Sequence, residues 1–447
     1  STVADLHTSL ETGGITCEEV VQGYIDRIEA YDDTGSTTEL NSVVAINPEA
    51  IIDAREKDLN FAVTGIDGPL YCVPILPKDN FNTEQMPTSG GALAFQYNQP
   101  TRDAYTVRRM REAGAIVLGK ANMDEFAFGF RGESSVRGLV KNPYDLTKGS
   151  GGSSTGTGTA IAASLALLGT GSDTGGSVRV PSSLNGLVGI RPSLRLVSLD
   201  GIMPLATWQD TGGPMCRTVE DCALLMDAMV GFDTSPASNQ RVSFEIDARL
   251  INNEEEYQQV TGVPETYTEF LDADGLQGAR IGVVRDLFGT NDSVLAVMDQ
   301  AIANMEAAGA VVGREGVGGR VEGGDFGEEV EGTAGAEDPK LPVGGVALRR
   351  GGRGGRQRTC RAASSATMPP YELHRCHVRG AGLSTGLLQS GARAAGRRTL
   401  VLSRACSALC TAIAIASSSM AAPSRASRAQ RGSAPVPSRR GTWSPCV

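Results

Sequence analysis

The sequence predicts an α/β layer fold, and two observations carry that prediction. Through residues 1–312, short apolar runs of strand length alternate with segments of helical period. At the centre, the Gly/Ser-rich stretch 150–181 encloses an apolar segment, 159–168, that is nonpolar on every face, as a buried helix is.

The elements follow in chain order. Thr16 and Glu19 form a capping box at a helix start. Val21, Tyr24, Ile25 and Ile28 mark one face of that helix to about Tyr31. Pro48 opens a second helix that reaches about Asn60. The apolar run 70–76 reads as a buried strand that ends at Pro77, Lys78 and Asp79. Asp103 reads as the cap of a helix through Arg111, with Val107 and Met110 inward. Residues 115–118 read as the next strand, ending at Gly119 and Lys120.

The central stretch then reads as loop, buried helix at 159–168, and second loop. Each loop sets hydroxyls among glycines, where backbone N–H groups can approach a ligand closely. A pair of flexible linkers would not enclose a wholly apolar helix. The phosphate-loop pattern GxxxxGK[ST] is absent. Residues 187–190 follow as a buried strand, and Thr218, with Asp221 three residues on, starts an apolar helix to about Met229. Residues 232–275 are polar and read as a surface excursion. Residues 280–284 read as a strand. Ser293 caps a helix whose face is Val294, Val297, Met298, Ala301, Ile302 and Met305, closed by Gly309. Residues 310–312 begin another strand.

From Gly313 the alternation stops. The text turns Gly-rich and acidic, then rich in Arg, Ala and Ser. Residues 351–447 hold 15 Arg, no Lys and one acidic residue, Glu372, which leaves 26 basic and 50 acidic residues in 1–350. The net charge of −10 argues against general nucleic-acid binding. The segment 349–358, RRGGRGGRQR, resembles an RNA-binding RGG segment, so an RNA-binding tail is one alternative. A disordered tail or a frame-shifted terminus are the others, since the switch falls within a strand. The domain expectation is therefore a catalytic domain at 1–312 and a separate tail at 313–447.

Nine cysteines, an odd number without a CxxC pair, give no closed disulfide framework. The three histidines are His7, His374 and His377, and no zinc motif includes them. No signal peptide or transmembrane run is visible. Localisation is left open, with a soluble, cytoplasmic protein favoured. The chain begins at Ser1 rather than Met, as it would after removal of an N-terminal piece.

Five ordered motifs carry a family resemblance: VPILPKDN at 73–80, GKANMDEFAFG at 119–129, GGSS at 151–154, GSDTGGSVRVPSS at 171–183, and DTGGPMCRTVEDCALLMD at 210–227. Residues 1–312 resemble the amidase signature family of serine hydrolases. That resemblance implies an α/β/α sandwich around a mixed, mostly parallel sheet. It implies a Ser–cis-Ser–Lys triad in which Ser177 is the nucleophile, Ser153 the bridging serine after a cis peptide, and Lys78 the base. It implies no metal and no organic cofactor.

The chemistry of the residues agrees. A serine hydroxyl is a weak nucleophile and needs an adjacent base. No histidine lies among the motifs, so a Ser–Lys variant is the natural choice. Lysine must be neutral to accept a proton, and its unperturbed pKa is ~10.4. Burial lowers it, and the apolar run 73–76 leading into Lys78 suits burial. Backbone N–H groups of Thr174, Gly175, Gly176 and Ser177 are the expected oxyanion donors. Asp173 and Arg179 are expected to hold the loops, and Ser154 to hydrogen-bond near the triad. Phe126, Ala127 and Phe128 fall where the family places pocket residues, and Lys120 reads as structural.

One departure stands out: Thr155 follows GGSS, where the family usually has glycine. A second is the end of the chain, because 313–447 lack the family's further strands and helices. The implied function is hydrolysis of a small-molecule carboxylic amide. The alternatives are an amidotransferase A subunit that releases ammonia from glutamine, an inactive truncated homologue, or RNA binding through 349–358. The oligomeric state is left open.

Overall fold

The structure, a computed structural model, describes residues 1–235, 238, 240 and 251–315. The expectations for the tail and the RGG-like segment lie outside the described residues.

Helices Val3–Glu11 (α1) and Cys17–Tyr31 (α2) open the chain, and α2 begins at the capping box of Thr16 and Glu19. Strand Val43–Ile46 (β1) leads to helix Ala50–Thr64 (α3). Strand Pro74–Leu76 (β2) is fully buried. Helix Tyr105–Glu112 (α4) follows, but Asp103 does not cap it. The Asp103 carboxylate instead accepts from Glu84 N–H at 2.8 Å and from Arg111 Nε at 3.0 Å, so a long-range tie replaces the local one. Strands Ile116–Val117 (β3) and Gly119–Ala121 (β4) come next. Two small hairpins follow, Glu133–Ser134 (β5) with Gly138–Leu139 (β6), and Lys141–Asn142 (β7) with Asp145–Gly149 (β8).

The central stretch departs from the expectation. Its helix is Thr155–Ala162 (α5), four residues earlier than predicted. Residues Leu168–Asp173 are not loop or helix but a wholly buried strand (β9). Their glycines serve close packing rather than flexibility. A β-carbon on Gly169 would stand 2.5 Å from Thr157 Cγ2, and one on Gly171 2.7 Å from Ser154 Oγ. A side chain at either position would push α5 off the sheet. Helix Arg179–Leu184 (α6), strands Val188–Gly189 (β10) and Thr211–Cys216 (β11), and helix Val219–Met229 (α7) complete this body. Thr218 caps α7 through Asp221 N–H, as expected. The polar excursion contains helix Glu254–Thr261 (α8), anchored by the buried Tyr257.

The main sheet is mixed, with order β10-β11-β9-β2-β3. β2 runs parallel to β3 and to β9, whereas β11 runs antiparallel to β9 and to β10. Its pairings are thus evenly split rather than mostly parallel. Helices α5 and α7 pack on β9 and β11, and α2 packs on β2, around one continuous apolar core. This places the protein in the α/β class. Because β2 and β9 are parallel, their carboxyl ends lie side by side, and Lys78 and residues 172–177 emerge together.

Strand Arg280–Val284 (β12), helix Asp292–Ala307 (α9) and strand Val311–Glu315 (β13) form a parallel β-α-β unit. Its small core is Ile281, Val283, Ile302, Met305 and Ala310. Two expectations change here. Asn291, not Ser293, caps α9, accepting from the N–H groups of Ser293 and Val294. Of the expected helix face, Ala301, Ile302 and Met305 are buried, but Val294 and Val297 are exposed. β13 continues through Glu315, so the boundary expected at 312 falls inside a strand.

Cysteine count gave no sign of a bridge, yet Cys17 and Cys72 form a disulfide across 55 residues. Cys216 and Cys222 are buried thiols, and the other five cysteines lie outside the described residues. No helix of the described residues is long and apolar enough to cross a membrane.

Candidate active site

Lys78 is the second residue beyond β2, and it is fully buried. Its Nζ donates to Ser153 Oγ at 2.7 Å, to Ser172 Oγ at 2.9 Å and to Ser172 carbonyl at 3.3 Å. Burial pushes the Lys78 pKa down from 10.5 to about 7, against the pull of the carboxylates of Asp124, Asp173 and Asp210. At neutral pH a large share of this amine is therefore unprotonated and able to accept a proton.

Ser153 stands in the loop between β8 and α5, and the Gly152–Ser153 peptide is cis. Asp124 N–H donates to Ser153 carbonyl at 3.1 Å. Ser154 N–H donates to Ser177 carbonyl at 3.2 Å, which ties the two serine loops together. Ser154 Oγ reaches Ser172 carbonyl at 3.4 Å.

Ser177 lies between β9 and α6 and is 3% exposed. Its hydroxyl has no hydrogen-bond partner among the described residues. Of the four expected oxyanion donors, Gly176 is already engaged: its N–H donates to Asp173 Oδ1 at 2.7 Å. The N–H groups of Thr174, Gly175 and Ser177 have no acceptor among the described residues. Gly176 adopts φ of 141°, a conformation open to glycine and strained for other residues. Thr174 Oγ1 donates to Asp210 Oδ1, and Asp210 Oδ2 accepts from Leu205 and Ala206 N–H at 2.9 Å each.

Asp173 is the hub of the turn. Arg179 Nε and Nη2 lie 3.1 Å from its two oxygens, and Arg191 Nε lies 3.1 Å from Oδ1. Burial works against its charge, but Arg179 and the N–H groups of Val178 and Gly176 outweigh it, holding the carboxyl below its usual range.

The pocket residues divide. Ala127 is buried, while Phe126 and especially Phe128 are exposed. Phe126 and Ala127 both have positive φ, 50° and 60°. Phe126 packs edge-on against Phe95 at 5.7 Å. Lys120 is buried and lies 3.2 Å from Asp79 Oδ1, with hydrogen bonds to Thr88 Oγ1 and Pro87 carbonyl. The Asp79 carboxylate gathers Ser89 and Gly91 N–H at 3.2 Å each, so this pair braces the loop at 88–91.

Sequence reasoning missed Ser172 and Asn80. Asn80 Nδ2 donates to Ser172 Oγ at 3.0 Å, beside Lys78. Read as loop, Ser172 had no assigned direction. Read as strand, Thr170 and Ser172 share a face by the two-residue period, and both hydroxyls meet Lys78.

The fold and these side chains define an α/β protein with a buried serine–lysine cluster beside a glycine turn that carries a second serine. Residues 19–314 match the Amidase family, and the chain belongs to that family. It is 39% identical over 317 residues to the A subunit of glutamyl-tRNA(Gln) amidotransferase from Ralstonia nicotianae, covering 70% of this chain and 61% of that protein. The solved peptide amidase of Stenotrophomonas maltophilia is 38% identical, with a TM-score of 0.63 over 71% of this chain and 62% of its own. An amidase family protein from Bacillus anthracis is 36% identical, with a TM-score of 0.60 over 70% of this chain and 59% of its own. The chain thus spans about three fifths of the length of these relatives.

Proposed function

We propose that this protein is an amidase that hydrolyses a carboxylic amide through an acyl-enzyme on Ser177, with residues 1–312 as the catalytic domain. The observation that carries this reading is the 2.7 Å contact of a buried, readily deprotonated Lys78 with Ser153. Ser177 Oγ attacks the carbonyl carbon, and its proton passes through Ser153 to Lys78. Thr174, Gly175 and Ser177 N–H groups stabilise the oxyanion. The leaving ammonia or amine recovers a proton along the same path. Water then attacks the acyl-enzyme, again with Lys78 as base, and releases the carboxylate and Ser177.

A second reading is the ammonia-releasing chain of an amidotransferase, favoured by the similarity to the Ralstonia protein. The test uses a fluorophosphonate probe and ammonia release from a panel of amides that includes glutamine. Labelling of the wild type but not of Ser177→Ala, with turnover of simple amides, supports the amidase. Labelling that persists in Ser177→Ala overturns the site. Turnover confined to glutamine favours the amidotransferase.

A further inference from the structure

Phe130 has no part in the site described so far, yet it touches both of its serine loops. The three residues after it are held by Asp124, whose Oδ1 accepts from Arg131, Gly132 and Glu133 N–H at 3.2, 2.9 and 3.2 Å. The residues so placed bring Phe130 against the two glycines that precede Ser153 and Ser177. A β-carbon on Gly152 would stand 3.1 Å from Phe130 Cα. One on Gly176 would stand 3.6 and 3.7 Å from Phe130 Cε1 and Cζ. The backbone of Phe130 therefore lies beside the Ser153 loop and its ring lies against the Ser177 loop. The residue is nevertheless 53% exposed. Core aromatics do not leave half their surface to solvent, whereas the walls of ligand sites present apolar rings of this kind.

We propose that Phe130 is a specificity-determining residue that selects amides whose acyl group carries a flat apolar unit, aryl or arylalkyl. This rests on the amidase reading of Ser177. The side of the amide follows from the proton path. The leaving amine takes its proton from Ser153 and so faces the 152–153 loop. The acyl group stays on Ser177, whose turn lies against the Phe130 ring at Gly176. An aromatic acyl group stacks on that ring, while a methyl group leaves it wet.

The experiment compares kcat/KM for phenylacetamide and acetamide in the wild type, Phe130→Ala and Phe130→Tyr. Phe130→Ala lowers the phenylacetamide value about 10- to 100-fold and leaves acetamide within about threefold. Phe130→Tyr keeps the ring and retains the preference. A separate arm measures phenylacetate binding to Ser177→Ala by calorimetry, with and without Phe130→Ala, and expects a loss of at least about tenfold. Equal loss for both amides, no change in either, phenylacetate binding indifferent to Phe130, or a preference for N-benzylacetamide over phenylacetamide overturns the proposal. Absence of turnover and of Ser177 labelling in the wild type defeats the amidase reading instead, and the binding arm still decides the role of Phe130.

Discussion

Lys78 Nζ stands 2.9 Å from Ser172 Oγ, a hydroxyl that also accepts from Asn80 Nδ2 at 3.0 Å. With two donors aimed at it, this oxygen serves Lys78 as an acceptor. A neutral amine has two N–H groups and one lone pair. The charged amine donates to Ser153 and Ser172; once neutral it can keep both donations to the hydroxyl and carbonyl of Ser172, which turns its lone pair toward the O–H of Ser153. On the amidase reading, Ser172 would thus orient the amine as a base. Ser172→Ala is expected to lower kcat about 10- to 100-fold with KM within about threefold, and Ser172→Thr to restore most of it. Steady-state kinetics on one amide check this, and a rise in KM alone would contradict the orienting role.

On the amidase reading, Lys78 as the base would set the pH dependence of turnover. The acid limb of kcat/KM is expected to bend near pH 7, where the buried amine gives up its proton. Lys78→Ala loses at least about a hundredfold in rate. Stability responds as well. Because the folded pKa lies below the ordinary 10.5, the unfolded chain holds more protons between about 7 and 10.5, and stability rises with pH across that window. Lys78→Met abolishes this rise and stabilises the protein at pH 6.5, where burial of the charge costs most. Urea denaturation at pH 6.5 and 9.5 measures both effects, and a wild-type curve flat between those values would refute the depressed pKa.

Asp173 joins two arginines to three backbone N–H groups of the Ser177 turn. Asp173→Asn is expected to cost roughly 1–3 kcal/mol, because it leaves buried N–H donors and the half-exposed Arg179 without their charge partner. The carboxyl is held below its usual pKa, so its contribution is present above pH 4 and fades as pH falls through the folded value. The gap between wild type and variant should narrow in acid, and a constant gap from pH 7 to pH 3 would exclude the charge as its source.

The Cys17–Cys72 bridge closes a loop of 55 residues that includes α2, β1 and α3. The chain-entropy estimate for such a loop is about 4 kcal/mol. The double variant Cys17→Ser/Cys72→Ser is expected to lose about 2–4 kcal/mol under oxidising conditions and to unfold identically with and without reductant. Wild-type unfolding that ignores dithiothreitol would show that the bridge contributes nothing.

Legibility in the sequence followed the range of the interaction. Caps at Thr16 and Thr218 were readable because donor and acceptor lie three residues apart. Asp103 misled because Arg111 and the Glu84 N–H engage its carboxylate, and Ser293 because Asn291, two residues earlier, takes the cap. The stretch 168–173 looked like loop because glycine signals flexibility locally, while its contacts with α5 lie a helix away. Lys78, Ser153 and Ser177 could be singled out through ordered motifs. The disulfide left no local trace, since its partners are joined only by the packing of α2 on β2.

Among the described residues the β12–α9–β13 unit has a small cluster of five buried residues, whereas Lys78 and both serines belong with the main sheet. So small a cluster cannot match the cooperativity of the main core. Amide protons of residues 280–315 should exchange with solvent deuterium through a partial opening that leaves β2, β9 and β11 closed. The reacting groups would then stay assembled while the far end of the described chain breathes, and catalytic competence and local melting would respond separately to temperature.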